Sequence, residues 1–313
     1  MRLQSIKIDS FDPAAMEETV KGASVSHVLL TPGRFRANLL TAEAGGNRLD
    51  YGSYNLPLHA RGGMPESHVT LGFIMASGET TSLNGFELDD STLVVLREGT
   101  TLDYHLAPGT EWLAFQVKAE SLERLGIDPS NLPKNPVRHP SPLSGGLKGE
   151  LKAAIAALQE LESLPPKIVA PADFGKKVFA SIMDGFHAAL EDDDSAYSRV
   201  RPYPATDRRL VRQATEYIDA NMVEALQIGA LCSELGTNWR SLEHAFARLL
   251  GVTPKRYLQL ARLSKARRLL LRSRPQDRSI SDIAMSCGIN HLGRFSRAYC
   301  EVFGERPSQT MRR

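Results

Sequence analysis

The chain has 313 residues, 42% of them hydrophobic and 24% charged, which suits a folded protein of two ordinary domains. No run approaches the roughly 18 apolar residues of a membrane span, and residues 1–9 lack the apolar stretch of a secretion signal, so a cytoplasmic protein is expected. The net charge of +2 conceals an asymmetry: residues 1–200 hold 18 Lys/Arg against 26 Asp/Glu, whereas residues 201–313 hold 20 against 10, so only the last part is suited to a polyanion.

In chain order, residues 25–31, 35–41, 68–75, 92–96, 100–106 and 112–117 are short apolar runs rich in Val, Leu, Phe and Thr. Gly, Pro and Asn punctuate them, with Gly45-Gly46 and Gly62-Gly63 read as turns and Leu83-Asn84-Gly85-Phe86 as a tight hairpin. The spacing predicts a β-sandwich or small barrel. A proline-rich stretch at 132–142 breaks this pattern. Leu147, Leu151, Ala154, Ile155, Leu158 and Leu161 then keep helical spacing, Pro165-Pro166 ends that helix, and a second runs from about 171 to 190. These two amphipathic helices are expected to pack on the β-domain and to pair between subunits of a homodimer. Acidic residues 191–194 and the proline-bearing 201–204 read as a linker. The chain thus divides into a sensor and dimerisation domain at 1–195, a linker at 196–206 and an all-helical domain at 207–313. The fold class is α+β with two domains.

The helical domain carries two copies of one grammar. In the first, Ile228, Leu231 and Leu235 form an apolar stripe, Gly236 supplies a turn, and Asn238 caps a second helix. That helix turns Leu242, Phe246, Leu249 and Leu250 inward and leaves Trp239, Arg240, Glu243, His244 and Arg248 outward. In the second, Ser279 and Ser281 offer caps, Ile280, Ile283 and Ala284 form the stripe, and Cys287-Gly288-Ile289 makes the turn. The next helix buries Leu292 or Phe295, with Tyr299 and Phe303, and exposes His291, Arg294 and Arg297. "Leu-Gly-Val-Thr-Pro" at 250–254 is mirrored by "Phe-Gly-Glu-Arg-Pro" at 303–307, and a long basic helix at 254–272 joins the copies. An exposed Trp-Arg pair in a helix's first turn is what a helix-turn-helix presents to base edges in the major groove. The three cysteines, Cys232, Cys287 and Cys300, sit in apolar helical patterns and read as reduced thiols.

The run Ile228, Leu231, Gly236, Arg240, Leu242, Phe246, Gly251, Pro254, Tyr257, Arg262 and Leu263, continued by 280–284, Gly288, Phe295, Arg297, Tyr299, Phe303-Gly304 and Pro307, resembles the DNA-binding domain of AraC/XylS-type transcription regulators. Residues 291–297 resemble the ethanolamine-regulator-like branch. The resemblance covers about 100 residues. It implies two units reading successive major-groove faces of an operator, transcription activation with RNA polymerase as partner, and an N-terminal cupin-like domain that binds a small-molecule effector. The chain departs from the pattern at His244, Ile289 and Gly293, where the family usually has Arg, Phe and Ser. Neutral imidazole is no fixed bidentate cation. The expected DNA contacts are therefore Asn238, Trp239, Arg240, Glu243, His244, His291, Arg294 and Arg297, with Arg240 reading a base and Glu243 accepting from a cytosine amine.

In the N-terminal domain His59, His68 and His105 are scattered without the cupin metal pattern, so no metal or resident cofactor is expected. No nucleophile spacing or phosphate loop supports an enzyme. Arg34 and Arg36, two apart in a predicted strand, together with His59 and Arg61 beside a Gly-rich turn, suit an anionic planar ligand, with cyclic di-GMP as one candidate. The alternative is a constitutive DNA-binding regulator whose N-terminal domain only dimerises.

Overall fold

A computed structural model describes all residues except 18–21, 91, 125, 133–136, 139–143, 165–172, 192–200, 224–225, 275 and 313. The N-terminal part, among the described residues, holds β1 (Arg2–Ile8), α1 (Pro13–Glu17), β2 (Ser24–Leu29), β3 (Ala37–Ala44), β4 (Asn47–Tyr54), β5 (Leu58–Gly63) and β6 (Val69–Ala76). It continues with β7 (Thr81–Leu83), β8 (Phe86–Leu88), β9 (Leu93–Leu96), β10 (Thr101–Leu106), β11 (Glu111–Val117), α2 (Ala119–Glu123), β12 (Val137–Arg138), α3 (Ser144–Ser163) and α4 (Phe174–Glu191). The helical part is α5 (Ala205–Asn221), α6 (Ile228–Glu234), α7 (Trp239–Leu250), α8 (Pro254–Arg272), α9 (Ile280–Ser286), α10 (Leu292–Phe303) and α11 (Pro307–Thr310).

The strands form two sheets, one in the order β1-β3-β4-β11-β6-β9-β12 and the other β2-β5-β10-β7-β8. Strand alternation divides the first sheet's residues between two faces. Leu40, Ala42, Leu49, Leu71, Phe73, Leu113 and Phe115 share one core with α3 and α4, where Phe115 stacks on Phe179 and Phe186. The apolar stripes of the two helices are thus spent on this sheet: Leu147, Leu151, Leu158, Ile182 and Phe186 are all buried there. The other face looks toward the second sheet, whose Ala60, Leu83 and Leu102 meet Ile74, Val94 and Leu96.

The six expected strands are present, and β7 and β8 close on Asn84 and Gly85, both at positive φ, which is the tight hairpin read from the sequence. Three departures matter. Gly62-Gly63 is not a turn but the end of β5, where a Cβ on Gly62 would lie 1.8 Å from the Ser24 carbonyl oxygen. Arg34 and Arg36 are not in a strand, because Asn55 accepts from the Arg36 amide at 2.6 Å and donates to the Arg34 carbonyl at 2.9 Å, and β3 begins only at Ala37. Residues 201–203 are not free linker: the Glu87 amide donates to Arg201 O, the Tyr203 amide donates to Gly85 O, and α5 starts at Ala205. The rest of the expected linker, the proline pairs at 165–166 and the start of the helix at 171–172 lie outside the described residues.

Candidate nucleic-acid interface

The reading helix of the first unit is α7. Asn238 caps it, its side chain accepting from the Ser241 amide at 2.9 Å, and Gly251 closes it at φ 67°. Leu242, Ala245, Phe246, Leu249 and Leu250 are buried, so the apolar stripe fixes which residues face out. Trp239 is 42% exposed, Arg240 and His244 are exposed, and Glu243 is half-buried. Arg248 on the same helix is ion-paired to Asp207 of α5.

In the second unit Ser279 and Asp282 form a reciprocal capping box on the supporting helix α9. The reading helix α10 buries Phe295, Tyr299, Val302 and Phe303. Of the two inward candidates Phe295 takes the place, and Leu292 is 42% exposed. His291, Arg294 and Arg297 are exposed, and His291 stands at the N-cap without a side-chain cap bond. Both reading helices are twelve residues long and both end on a left-handed glycine. Trp239, His291 and Arg294 line one cleft, floored by Lys255, Gln259 and Arg262 of α8, so the starts of α7 and α10 open onto the same face.

Two arginines of α8 have structural partners that the sequence reading did not assign. Arg267 is fully buried. It pairs with Glu305 at 2.8 Å, donates to Tyr299 Oη at 3.0 Å and to the Phe11 carbonyl, and lies 4.7 Å from the Phe303 ring centroid. Arg262 donates to the Met222 carbonyl at 3.1 Å, beside the turn glycine Gly288. The available signal for Arg267 was its position in the apolar register of Leu260, Leu263, Ala266 and Leu270, which are all buried with it.

The four ligand candidates separate. Arg34 and Arg36 are exposed on the stretch before β3. His59 and Arg61 lie on the outer face of β5 and meet the helical domain. His59 Nδ1 is 2.8 Å from Tyr257 Oη of α8, and its Nε2 is 2.9 Å from Asp103 Oδ1 of β10. Arg61 is bracketed by Asp103 at 3.4 Å and by Glu216 and Asp219 of α5 at 3.3 and 3.1 Å. Burial pushes the Asp103 carboxyl up, but the charges of His59 and Arg61 outweigh it and hold the group below the usual carboxylate range. Burial lowers His105, next to this network, to about 4, with the charge of His59 adding to the effect. The sequence marked His59 and Arg61 as unusual but could not show that they have partners in the helical domain more than 150 residues away.

Two successive helix-turn-helix units joined by one long helix define the class of the C-terminal domain. The family model of a helix-turn-helix domain matches residues 231–313. The chain belongs to the AraC/XylS family of regulators through this domain. It is 36% identical over 131 residues to the probable thc operon regulatory protein of Rhodococcus erythropolis, covering 42% of this chain and 39% of that one. It is 34% identical over 100 residues to the XylDLEGF operon transcriptional activator of Pseudomonas putida, covering 32% and 31%. A solved structure of a probable AraC family transcriptional regulator from Rhodopseudomonas palustris is 35% identical, covers 33% of this chain and 95% of that one, and has a TM-score of 0.30. The matched region thus spans under two fifths of the length of both curated relatives.

Proposed function

We propose that the protein is a sequence-specific double-stranded-DNA-binding transcription regulator, acting as an activator under the control of its N-terminal domain. The observation that carries this reading is the pair of twelve-residue helices α7 and α10, whose starts expose Trp239 and Arg240, and His291 and Arg294, and open onto one face of a basic domain through Trp239, His291 and Arg294. Such a face offers major-groove contacts from both units of one chain, with Arg240 as the base-reading cation and Arg297 a phosphate contact. RNA polymerase is the partner an activator requires, and a homodimer is the expected assembly. Selection of bound duplexes from a random pool tests the reading. Enrichment of a site with two conserved blocks about one helical turn apart is expected, and an unenriched pool would overturn it.

Control by a small effector is the second part of the proposal. The contact between domains supports it: β10 turns Leu102, Tyr104 and Leu106 toward the sheet interior and Asp103 toward His59, Arg61 and the helical domain. One strand therefore shares a wall with the interior and with the DNA-binding part. In the competing reading the regulator is constitutive, and operator affinity is then the same with every ligand. An anionic effector such as cyclic di-GMP at Arg34, Arg36, His59 and Arg61 would have to displace the three carboxylates that hold Arg61.

A further inference from the structure

The inner face of the larger sheet can be read as a grid from its register. One row runs Arg2, Glu43, Arg48, Gln116, Thr70, Leu96 across β1, β3, β4, β11, β6 and β9. The next runs Gln4, Thr41, Asp50, Ala114, Gly72, Val94, and the third Ile6, Leu39, Gly52, Trp112, Ile74. The polar end is internally satisfied: Arg48 Nε lies 2.8 Å from Asp50, Arg48 Nη1 lies 2.9 Å from Glu43, and Thr41 donates to Asp50 at 2.8 Å. The centre is different. Ala114 and Gly72 put almost no side chain there, and the Trp112 ring leans over Gly52, where a Cβ would come within 2.6 Å of it.

The result is a cavity of about 110 Å³ between the two sheets, walled by Ile74, Val94, Leu96, Leu102 and Tyr104. Two polar atoms of residues that line it have no hydrogen-bond partner among the described residues: the hydroxyl of Thr70, a residue 1% exposed, and the buried indole Nε1 of Trp112. Buried donors are nearly always paired, and an apolar void of this kind is comparable in size to one that takes up a benzene-sized molecule. No cation lines it, so burying a carboxylate or phosphate there would be costly.

We propose that this cavity is a binding site for a small, neutral, ring-sized molecule carrying one hydrogen-bond acceptor, a carbonyl or ether oxygen, which Thr70 or Trp112 donates to. Its apolar body lies against Ile74, Val94 and Leu96. This rests on the reading of the N-terminal domain as a sensor and names the chemistry of what it senses.

The test uses the full-length chain. Trp112 and Trp239 are its two tryptophans, so Trp239→Phe leaves Trp112 as the sole reporter. Cyclohexanone, cyclohexane and benzoate are titrated in turn, following fluorescence in this variant and heat in the unmodified chain. Saturable quenching or shift with cyclohexanone is expected, with cyclohexane and benzoate at least tenfold weaker. Thr70→Val and Trp112→Phe together should weaken cyclohexanone at least tenfold by calorimetry, and Ala114→Leu, which fills the void, should abolish the heat. No saturable response to cyclohexanone, or a stronger one to benzoate, would overturn the proposal; the comparison of the three probes on the unmodified chain decides the matter if a variant does not fold. Duplex selection, run separately, reports on the DNA-binding reading and is independent of this outcome.

Discussion

The two helix-turn-helix units share length, glycine turn and glycine C-cap, yet they are held in the molecule by different means. The reading helix of the first is capped by Asn238 and tied to α5 by the partly exposed pair Arg248–Asp207. The second has an uncapped reading helix but sits on a buried cation, Arg267, that joins α8, α10, the segment before α11 and the N-terminal segment at Phe11. Phe11 stacks on Phe303 at 5.9 Å, so the N-terminal domain holds the second unit through its apolar core. The first is backed by α5 and by Tyr257 of α8, whose ring packs on Phe246, and these meet the N-terminal domain across a polar network, His59–Tyr257 and Arg61–Asp219. A repeated sequence grammar therefore does not imply repeated energetics. Unit two is built into the interior, and unit one is held where hydrogen bonds can exchange.

The largest expected effect follows from removing the buried cation. Arg267→Met removes the buried cation that pairs with Glu305 and should cost about 3–5 kcal/mol in denaturant unfolding, because a buried ion pair is broken from one side while its carboxylate stays beside the core. Arg248→Met, the corresponding change in the first unit, should cost less than about 1 kcal/mol, since that pair is solvent-screened. Equal losses would break the contrast between the units. The turn glycines separate the units next. Gly236→Ala meets open space and carries only the cost of positive φ, about 1–2 kcal/mol. At Gly288 a Cβ would sit 2.2 Å from the Met222 carbonyl oxygen, so overpacking adds about 1–3 kcal/mol on top. Thermal unfolding of the two variants side by side measures the difference.

Much of this contrast was legible in the residues, and the part that was not has a physical cause. The reading helices α7 and α10 follow the apolar period closely because each buries a single stripe, and α8, which is buried on more than one side, was placed at 254–272 with the help of the Pro254 that opens it. The strand β4 was missed because its positions facing the second sheet, Arg48, Asp50 and Gly52, are not apolar, and β5 because it ends in Gly62-Gly63, read as a turn, while its outer His59 and Arg61 face another domain. Alternation of hydrophobic and polar residues identifies a strand only where one side is an apolar core. The buried Asp50 shows the consequence, since desolvation pushes its carboxyl up to about 6 although Arg48 and Thr41 pull it down. Arg267 and the partners of Arg61 depend on contacts between distant segments, which a single sequence does not display. The eight expected DNA contacts were chosen from outward positions of two helices, and the helices place seven of them at exposed positions, with Glu243 half-buried.

A smaller effect concerns how the units divide recognition. Arg240→Ala should lose about 1–3 kcal/mol of discrimination at one or two base pairs of the selected site. Arg297→Ala should weaken binding to all sequences and lower the slope of log affinity against log salt by about 1. Competition binding with matched and mutated duplexes at two salt concentrations separates the two patterns. The same pattern in both variants would mean that the units share one mode of contact.

The smallest effect isolates the caps. Asn238→Ala removes the acceptor for the Ser241 amide and should destabilise the start of α7 by about 1 kcal/mol. His291→Ala removes no cap bond and should cost no more than a few tenths of that. The interest lies in what DNA does to this order. The first-turn amides of α10 lack a side-chain acceptor, so a phosphate can take that place, whereas those of α7 are already engaged through Asn238. Hydrogen exchange of first-turn amides, with and without the selected duplex, should therefore show the larger protection gain in α10. If α7 gains as much, the cap at Asn238 opens on binding and its side chain is released to the DNA.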